Sequence, residues 1–197
     1  MNVMNGKFTR VMEILSNFFL LNLTWLLMCL PIVTIFPATA AMIGVVRQWI
    51  LHDDTAVFSV FMKYFKENLK QSMVIGILWG FFAFILYMNF NVMVQLEAMK
   101  FILLPFLVLF SVLMVFTTVY IFPVMVHYRL NVFGIIRNSF LLSMSFLPTS
   151  LLAALVLFGI FVLFLWQPFT VFISFSVGGY LIFTLCNKVF TRKETLN

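Results

Sequence analysis

Between Glu13 and Arg47 the chain carries no charged side chain, and two prolines interrupt that window. Residues 14–46 would form a straight helix of roughly 50 Å, against a hydrocarbon layer of about 30 Å. One straight span is too short to use them all, and two full spans would need about 40 residues. The run Leu30-Pro31-Ile32-Val33-Thr34-Ile35-Phe36-Pro37-Ala38-Thr39-Ala40-Ala41 lacks two backbone donors. We therefore expect a kinked hairpin: a helix to about Cys29, a broken corner, and a short returning helix from Ala38 to Ile50. Pro31, Pro37 and Thr39 are the candidate structural corner, because irregular backbone at membrane depth must be satisfied by protein, by hydroxyls such as Thr34 and Thr39, or by water.

Composition agrees with that setting. The chain has 197 residues, 64% hydrophobic and 9% charged, and a mean hydropathy of +1.14. That is more apolar surface than one water-soluble core can hide. The 27 Phe and 13 Met read as lipid-facing and gap-filling side chains. A formal charge of +6 is scattered along the chain and not gathered into one soluble domain, which fits the positive-inside rule better than nucleic-acid binding. The two cysteines, Cys29 and Cys186, sit in apolar segments and read as free thiols. Lys7 and Arg10 before an apolar run mimic a signal peptide. Without a small-x-small cleavage site before a soluble domain, the segment is expected to stay as the first helix.

The expected class is all-α: a polytopic transmembrane helical bundle with five long membrane helices, the short returning helix, and one or two interfacial amphipathic helices. Residues 1–197 form one membrane domain. Its segments are an N-terminal kinked hairpin (1–51), a cytoplasmic amphipathic helix (55–70), a second hairpin (71–126), an interfacial segment (127–145), a C-terminal hairpin (146–187) and a basic tail (188–197). In the first helix Asn17, Asn22 and Thr24 should bond across helices, at about 0.6–2 kcal/mol each in lipid. Ala40 and Gly44 offer a small-x-x-x-small packing face, and Gly76-x-x-x-Gly80 offers a second that could pair two copies of the chain.

On helical spacing Val57, Phe58, Phe61, Phe65 and Leu69 share one face, and Ser59, Lys63, Lys66, Glu67 and Lys70 share the other. Asp54 or Thr55 would cap this helix. Such a basic amphipathic helix suits the plane of an anionic leaflet or a groove on a partner protein. Further on, Pro105 and Pro123 fall near the ends of one long span, and Trp166-Gln167-Pro168 supplies the turn between the last two.

Counting basic residues decides the expected topology. If the first stretch crosses once and the N-terminus is inside, Lys63, Lys66, Lys70, Arg129 and Arg137 all lie outside, against the positive-inside rule. If it goes in and comes back, Lys100 alone of the twelve basic residues lies outside. Both termini are then cytoplasmic. A faint resemblance between 61–86 and 132–158, each a basic segment leading into a span, raises the question of two related hairpin units.

Phe36-Pro37-Ala38-Thr39-Ala40-Ala41, Val46-Arg47-x-Trp49, and Phe61-x-x-x-Phe65-Lys66-x-Asn68-x-Lys70-Gln71-Ser72 with Gly76 resemble the YesL-like family of bacterial membrane proteins, a domain of unknown function (624). Leu69 stands where the family pattern suggests Phe. The resemblance covers most of the chain and implies encoding beside carbohydrate-uptake transporters and polysaccharide-degrading enzymes. It implies no catalytic or ligand residue. The basic amphipathic helix and its neighbourhood, Arg47, Phe61, Lys63, Phe65, Lys66, Asn68 and Lys70, are the candidate docking set for membrane or ATPase subunits of such a carbohydrate ABC importer.

Chemistry is mostly absent from the pattern. There is no Gly-x-x-x-x-Gly-Lys phosphate loop, and His52 and His127 have no second ligand at helical spacing. Adjacent Asp53 and Asp54 point apart and read as cap and ion-pair residues. No carboxylate or histidine falls inside the four clear spans after residue 70, where a coupled transporter needs one. No catalytic residue, cofactor or metal is expected. Two functions remain: a non-enzymatic accessory or regulatory partner of a carbohydrate ABC uptake system, or a stand-alone channel or transporter passing a neutral solute such as a sugar along Asn17, Asn22, Thr34, Thr39, Asn89 and Gln95.

Overall fold

The structure, a computed structural model, describes residues 3–52, 55–95 and 100–194. Asp53, Asp54 and Glu97 lie outside the described residues, as do the side chains of Lys7, Arg10, Gln95 and Lys100. Seven α-helices follow one another: α1 Val3–Met28, α2 Ile35–His52, α3 Phe58–Gln95, α4 Lys100–His127, α5 Val132–Ser145, α6 Leu147–Trp166 and α7 Val171–Glu194. Among the described residues five segments are long and apolar enough to cross a membrane: Ile32–His52, Phe58–Met93, Leu103–His127, Leu147–Trp166 and Pro168–Lys193. The chain is a polytopic helical membrane bundle.

The first hairpin differs from the expectation in one respect. The returning helix is not short: α2 begins at Ile35, has 18 residues, and together with the 3-10 turn Ile32–Thr34 it is one of the five long apolar segments. Pro37 falls inside the first turn of α2, where its missing N–H would have no helical acceptor anyway, so only Pro31 marks the actual break. The corner closes on itself. Thr34 Oγ1 lies 2.6 Å from the carbonyl oxygens of both Met28 and Pro31, and the Thr34 N–H also reaches Pro31 O at 2.9 Å. Protein does not cover it, since Leu30 and Ile32 are 78% and 82% exposed. Thr39 is a full turn inside α2; it donates to Ile35 O at 2.7 Å and accepts from Trp25 Nε1 of α1 at 3.2 Å.

The amphipathic segment is not a separate element. α3 runs unbroken for 38 residues, about 57 Å of helix, so its first turns extend well beyond one membrane span. Nothing between Phe58 and Ile75 is a glycine or proline, and Lys66, Leu69, Lys70 and Gln71 are good helix formers. Of the two expected caps, Asp54 lies outside the described residues. The Phe61 N–H takes the carbonyl of Val57 at 2.9 Å, and Val57 is buried against α2, so burial and not Thr55 sets the first turn.

The contacts fix the order of passes. α1 and α2 are antiparallel, with Phe18 against Trp49 at 5.2 Å and Trp25 beside Thr39. α2 and α3 form the most extensive seam of the bundle. Trp79 Nε1 of α3 donates to Thr118 Oγ1 of α4 at 2.8 Å, and Ser176 Oγ of α7 donates to Phe18 O of α1 at 3.0 Å. Asn22, fully buried, donates to Val171 O of α7, so it does bond across helices, whereas Thr24 bonds back to Leu20 of its own helix. α5 stays beside the end of α4. Asn131 caps it, accepting from the Gly134 N–H at 3.0 Å, and it stops at Phe146 because Pro148 in the first turn of α6 prevents a continuous helix. α3 has no such break, so the two segments of the faint repeat fold differently. α6 then continues past Tyr120 toward Ser111, and α7 returns to the end of α4, where His127 and Phe190 meet at 4.7 Å. The residues expected in a basic tail, Lys188, Arg192 and Lys193, are in the last turns of α7, where cations complement the helix C-terminus.

Candidate functional site

The end of α2, the start of α3, the end of α4 with its loop to α5, and the end of α7 come together at one end of the bundle. That end carries Arg47, Lys63, Lys66, Lys70, Arg129, Arg137, Lys188, Arg192 and Lys193. A polar vestibule of about 770 Å³ opens there, walled by α2 (Arg47, Gln48, His52), α3 (Lys63, Tyr64, Glu67, Asn68, Gln71) and 125–130 at the end of α4.

One close approach builds its floor. A Cβ placed on Gly44 would lie 2.4 Å from Tyr64 Cγ, so the Tyr64 ring rests directly on the backbone of α2. That seat carries the phenol to Arg47, one turn on, whose Nη1 donates to Tyr64 Oη at 3.2 Å. Arg47 Nε is buried with no hydrogen-bond partner. The amides hold the walls: Asn68 Nδ2 donates to Tyr64 O at 2.9 Å, and Gln71 Nε2 donates to Leu130 O, tying α3 to the loop that bears Arg129. Trp49 faces the other way, edge-on to Phe18.

The structure divides the candidate docking set. Arg47, Lys63 and Asn68 line the vestibule; Lys66 and Lys70 are exposed beside it. Phe61 is fully buried and Phe65 packs behind it, with rings 6.2 Å apart, in a cluster with Val45, Val46 and Phe183. Phe61 and Phe65 on the apolar face are therefore covered by the chain's own helices, α2 foremost, while Phe58 stays exposed. Ala40 is buried in the core, Gly44 carries Tyr64, and a Cβ placed on Gly76 would lie 3.0 Å from Phe36 Cγ. A Cβ on Gly80 would meet no neighbouring element within 4 Å, so the two glycines do not form one free face.

A second cavity of about 330 Å³ lies at membrane depth among Trp25, Met42, Phe122, Phe161, Phe175 and Ile182. Its lining hydroxyls, Thr39 and Thr118, each donate to their own helix at 2.7 Å. It suits an alkyl chain and not a sugar. Val45, Val46 and Val124, on the helices that line both cavities, are fully buried and line neither. Among the described residues no three histidine, cysteine or carboxylate side chains gather as a metal site, and Cys29 and Cys186 are free thiols.

Sequence reasoning placed Arg47, Lys63 and Asn68 together but missed Tyr64, Gln71, His127 and Arg129. The polar break His127-Tyr128-Arg129 after an apolar span signals an interface. Only the packing of α4 beside α3 puts it opposite Lys63.

Residues 18–90 match the family described as "Protein of unknown function, DUF624". The chain is 30% identical over 179 residues to the uncharacterized protein YesL of Bacillus subtilis (strain 168), covering 88% of this chain and 85% of that protein. It is 28% identical over 194 residues to YteU of the same organism, 96% and 87% of the two chains, and 30% identical over 115 residues to YesV, 56% and 55%. All three bear names that state no activity. No solved structure is significantly similar. With that identity across most of both chains, this protein belongs to the YesL-like DUF624 family.

Proposed function

We propose that the chain is a non-enzymatic membrane component acting through the basic end of its bundle, as an accessory or regulatory partner of a carbohydrate ABC uptake system. One observation carries this reading: the polar, cationic vestibule opens at one end, whereas the cavity at membrane depth is lined almost wholly by apolar side chains. The carbohydrate system itself rests on the family resemblance. What this end offers a partner is its charged face, Lys63, Lys66 and Lys70, since Phe61 and Phe65 are occupied by α2. Changing the three lysines together to glutamate is expected to abolish co-purification with importer subunits while the isolated chain keeps its thermal stability. Undiminished co-purification would exclude this face as the dock.

A stand-alone conduit for a neutral sugar needs polar groups converging at membrane depth. Asn22 is buried under α7, Thr34 closes the exposed corner, and Asn89 bonds back to Ile85 O at 2.8 Å on an exposed face. These groups share no path.

The positive-inside rule assigns the basic end to the cytoplasm. Single cysteines in a cysteine-free background test it in intact cells. Ile32 and Gln167 positions are expected to react with an impermeant maleimide, and Thr55 and Asn131 positions to react only after permeabilisation. The opposite pattern would invert the topology and remove the dock from the partner's side.

A further inference from the structure

We propose that the vestibule is a binding site for a phosphate-type oxyanion, borne by an anionic lipid headgroup or by a small phosphorylated solute. Three cations converge on it from three elements, Arg47 from α2, Lys63 from α3 and Arg129 from the α4–α5 loop, with His52 and His127 beside them. Glu67 is the one carboxylate among the described lining residues, and it is exposed at the rim.

Arg47 is the reason to assign an oxyanion and not merely a charged surface. A guanidinium carries five N–H donors. Here Nη1 meets a neutral phenol and Nε is buried without a partner. A buried charged group with few acceptors is costly, and because Arg47 lines the cavity an oxyanion there would bring several acceptors to its guanidinium. The frame is set in advance. Gly44 seats Tyr64, Tyr64 holds Arg47, and Gln71 holds the loop bearing Arg129, so little ordering remains when a ligand arrives. A volume of about 770 Å³ holds a headgroup or a phosphosugar with room for water. An acidic protein surface would also meet Lys66 and Lys70, exposed beside the vestibule, whereas Lys63 belongs to both readings; a test without any partner separates the two.

The test uses the purified full chain without any partner, in phosphatidylcholine nanodiscs, with the thermal midpoint followed by tryptophan fluorescence. Inorganic phosphate and glucose 6-phosphate are titrated against chloride at equal ionic strength. In a second arm phosphatidylglycerol replaces part of the phosphatidylcholine. At least one phosphate-bearing probe is expected to raise the midpoint saturably. Lys63→Gln with Arg129→Gln should weaken that response by roughly tenfold for each cation removed. Both side chains are exposed, so the unliganded midpoint stays put. Arg47→Lys keeps the charge, removes the fork, and should also weaken binding. Saturation by the free phosphates assigns a solute; a response to phosphatidylglycerol alone assigns a headgroup. A wild-type response no greater than that to chloride, or an equal response in the double variant, overturns the proposal.

Discussion

Gly44→Leu is expected to leave little folded protein, whereas Gly80→Leu on the neighbouring helix leaves the yield unchanged. At Gly44 a Cβ would lie 2.4, 2.6 and 2.7 Å from Cγ, Cδ2 and Cδ1 of Tyr64, inside the distance real contacts allow. The ring cannot simply swing away, because its hydroxyl is held by Arg47 and its faces pack into the cluster around Val45, Val46 and Phe61. Overpacking of this kind costs on the order of 1–3 kcal/mol even for a modest increase in volume, and leucine adds far more than a methyl. Gly44→Ala is the finer probe: removing a mid-helix glycine gains about 0.5–1 kcal/mol, so a net loss of stability would measure what displacing Tyr64 costs. Fluorescence-detected size exclusion after a temperature series reads all three variants. Equal tolerance at positions 44 and 80 would contradict the α2–α3 seam.

Phe61→Ala should destabilise the isolated chain by about 3–5 kcal/mol, the range for emptying a buried phenylalanine site. Phe58→Ala, three residues earlier on the same helix, should change stability by less than about 0.5 kcal/mol, because its ring is 60% exposed. The pair separates two roles for this apolar face. If it belonged to a partner's groove, Phe61→Ala would leave the purified chain as stable as wild type and affect only complex formation. The expected loss of stability without any partner places Phe61 in the chain's own core, and leaves Lys63, Lys66 and Lys70 as the face open to others.

Much of the architecture was legible because lipid punishes unpaired charge and unpaired backbone alike. The charge-free windows mark the spans, and the in-and-out first stretch brings the basic residues together; the structure gathers those it describes at one end. Element boundaries were less legible. Pro37 looks like a breaker in sequence and is harmless in a first helical turn. Pro148 went unremarked, yet it separates α5 from α6. The amphipathic stretch looked like an independent surface helix, but nothing in its residues obliges it to end before the span begins.

The candidate site was half visible. Arg47, Lys63 and Asn68 stand out as polar residues at the margins of apolar runs. Glycines read identically in sequence whether a ring covers them, as at Gly44, or nothing does, as at Gly80. That this chain is a membrane helical bundle, with its basic residues other than Lys100 expected on one side, could be read from the residues alone, because those features follow from transfer free energies that each segment meets alone. The packing of the helices was needed to place Tyr64 on Gly44, to cover Phe61 and Phe65 with α2, and to bring Arg47, Lys63 and Arg129 around one cavity. Those facts depend on which helices are neighbours and at what register, and shape complementarity between distant segments leaves no local pattern to read.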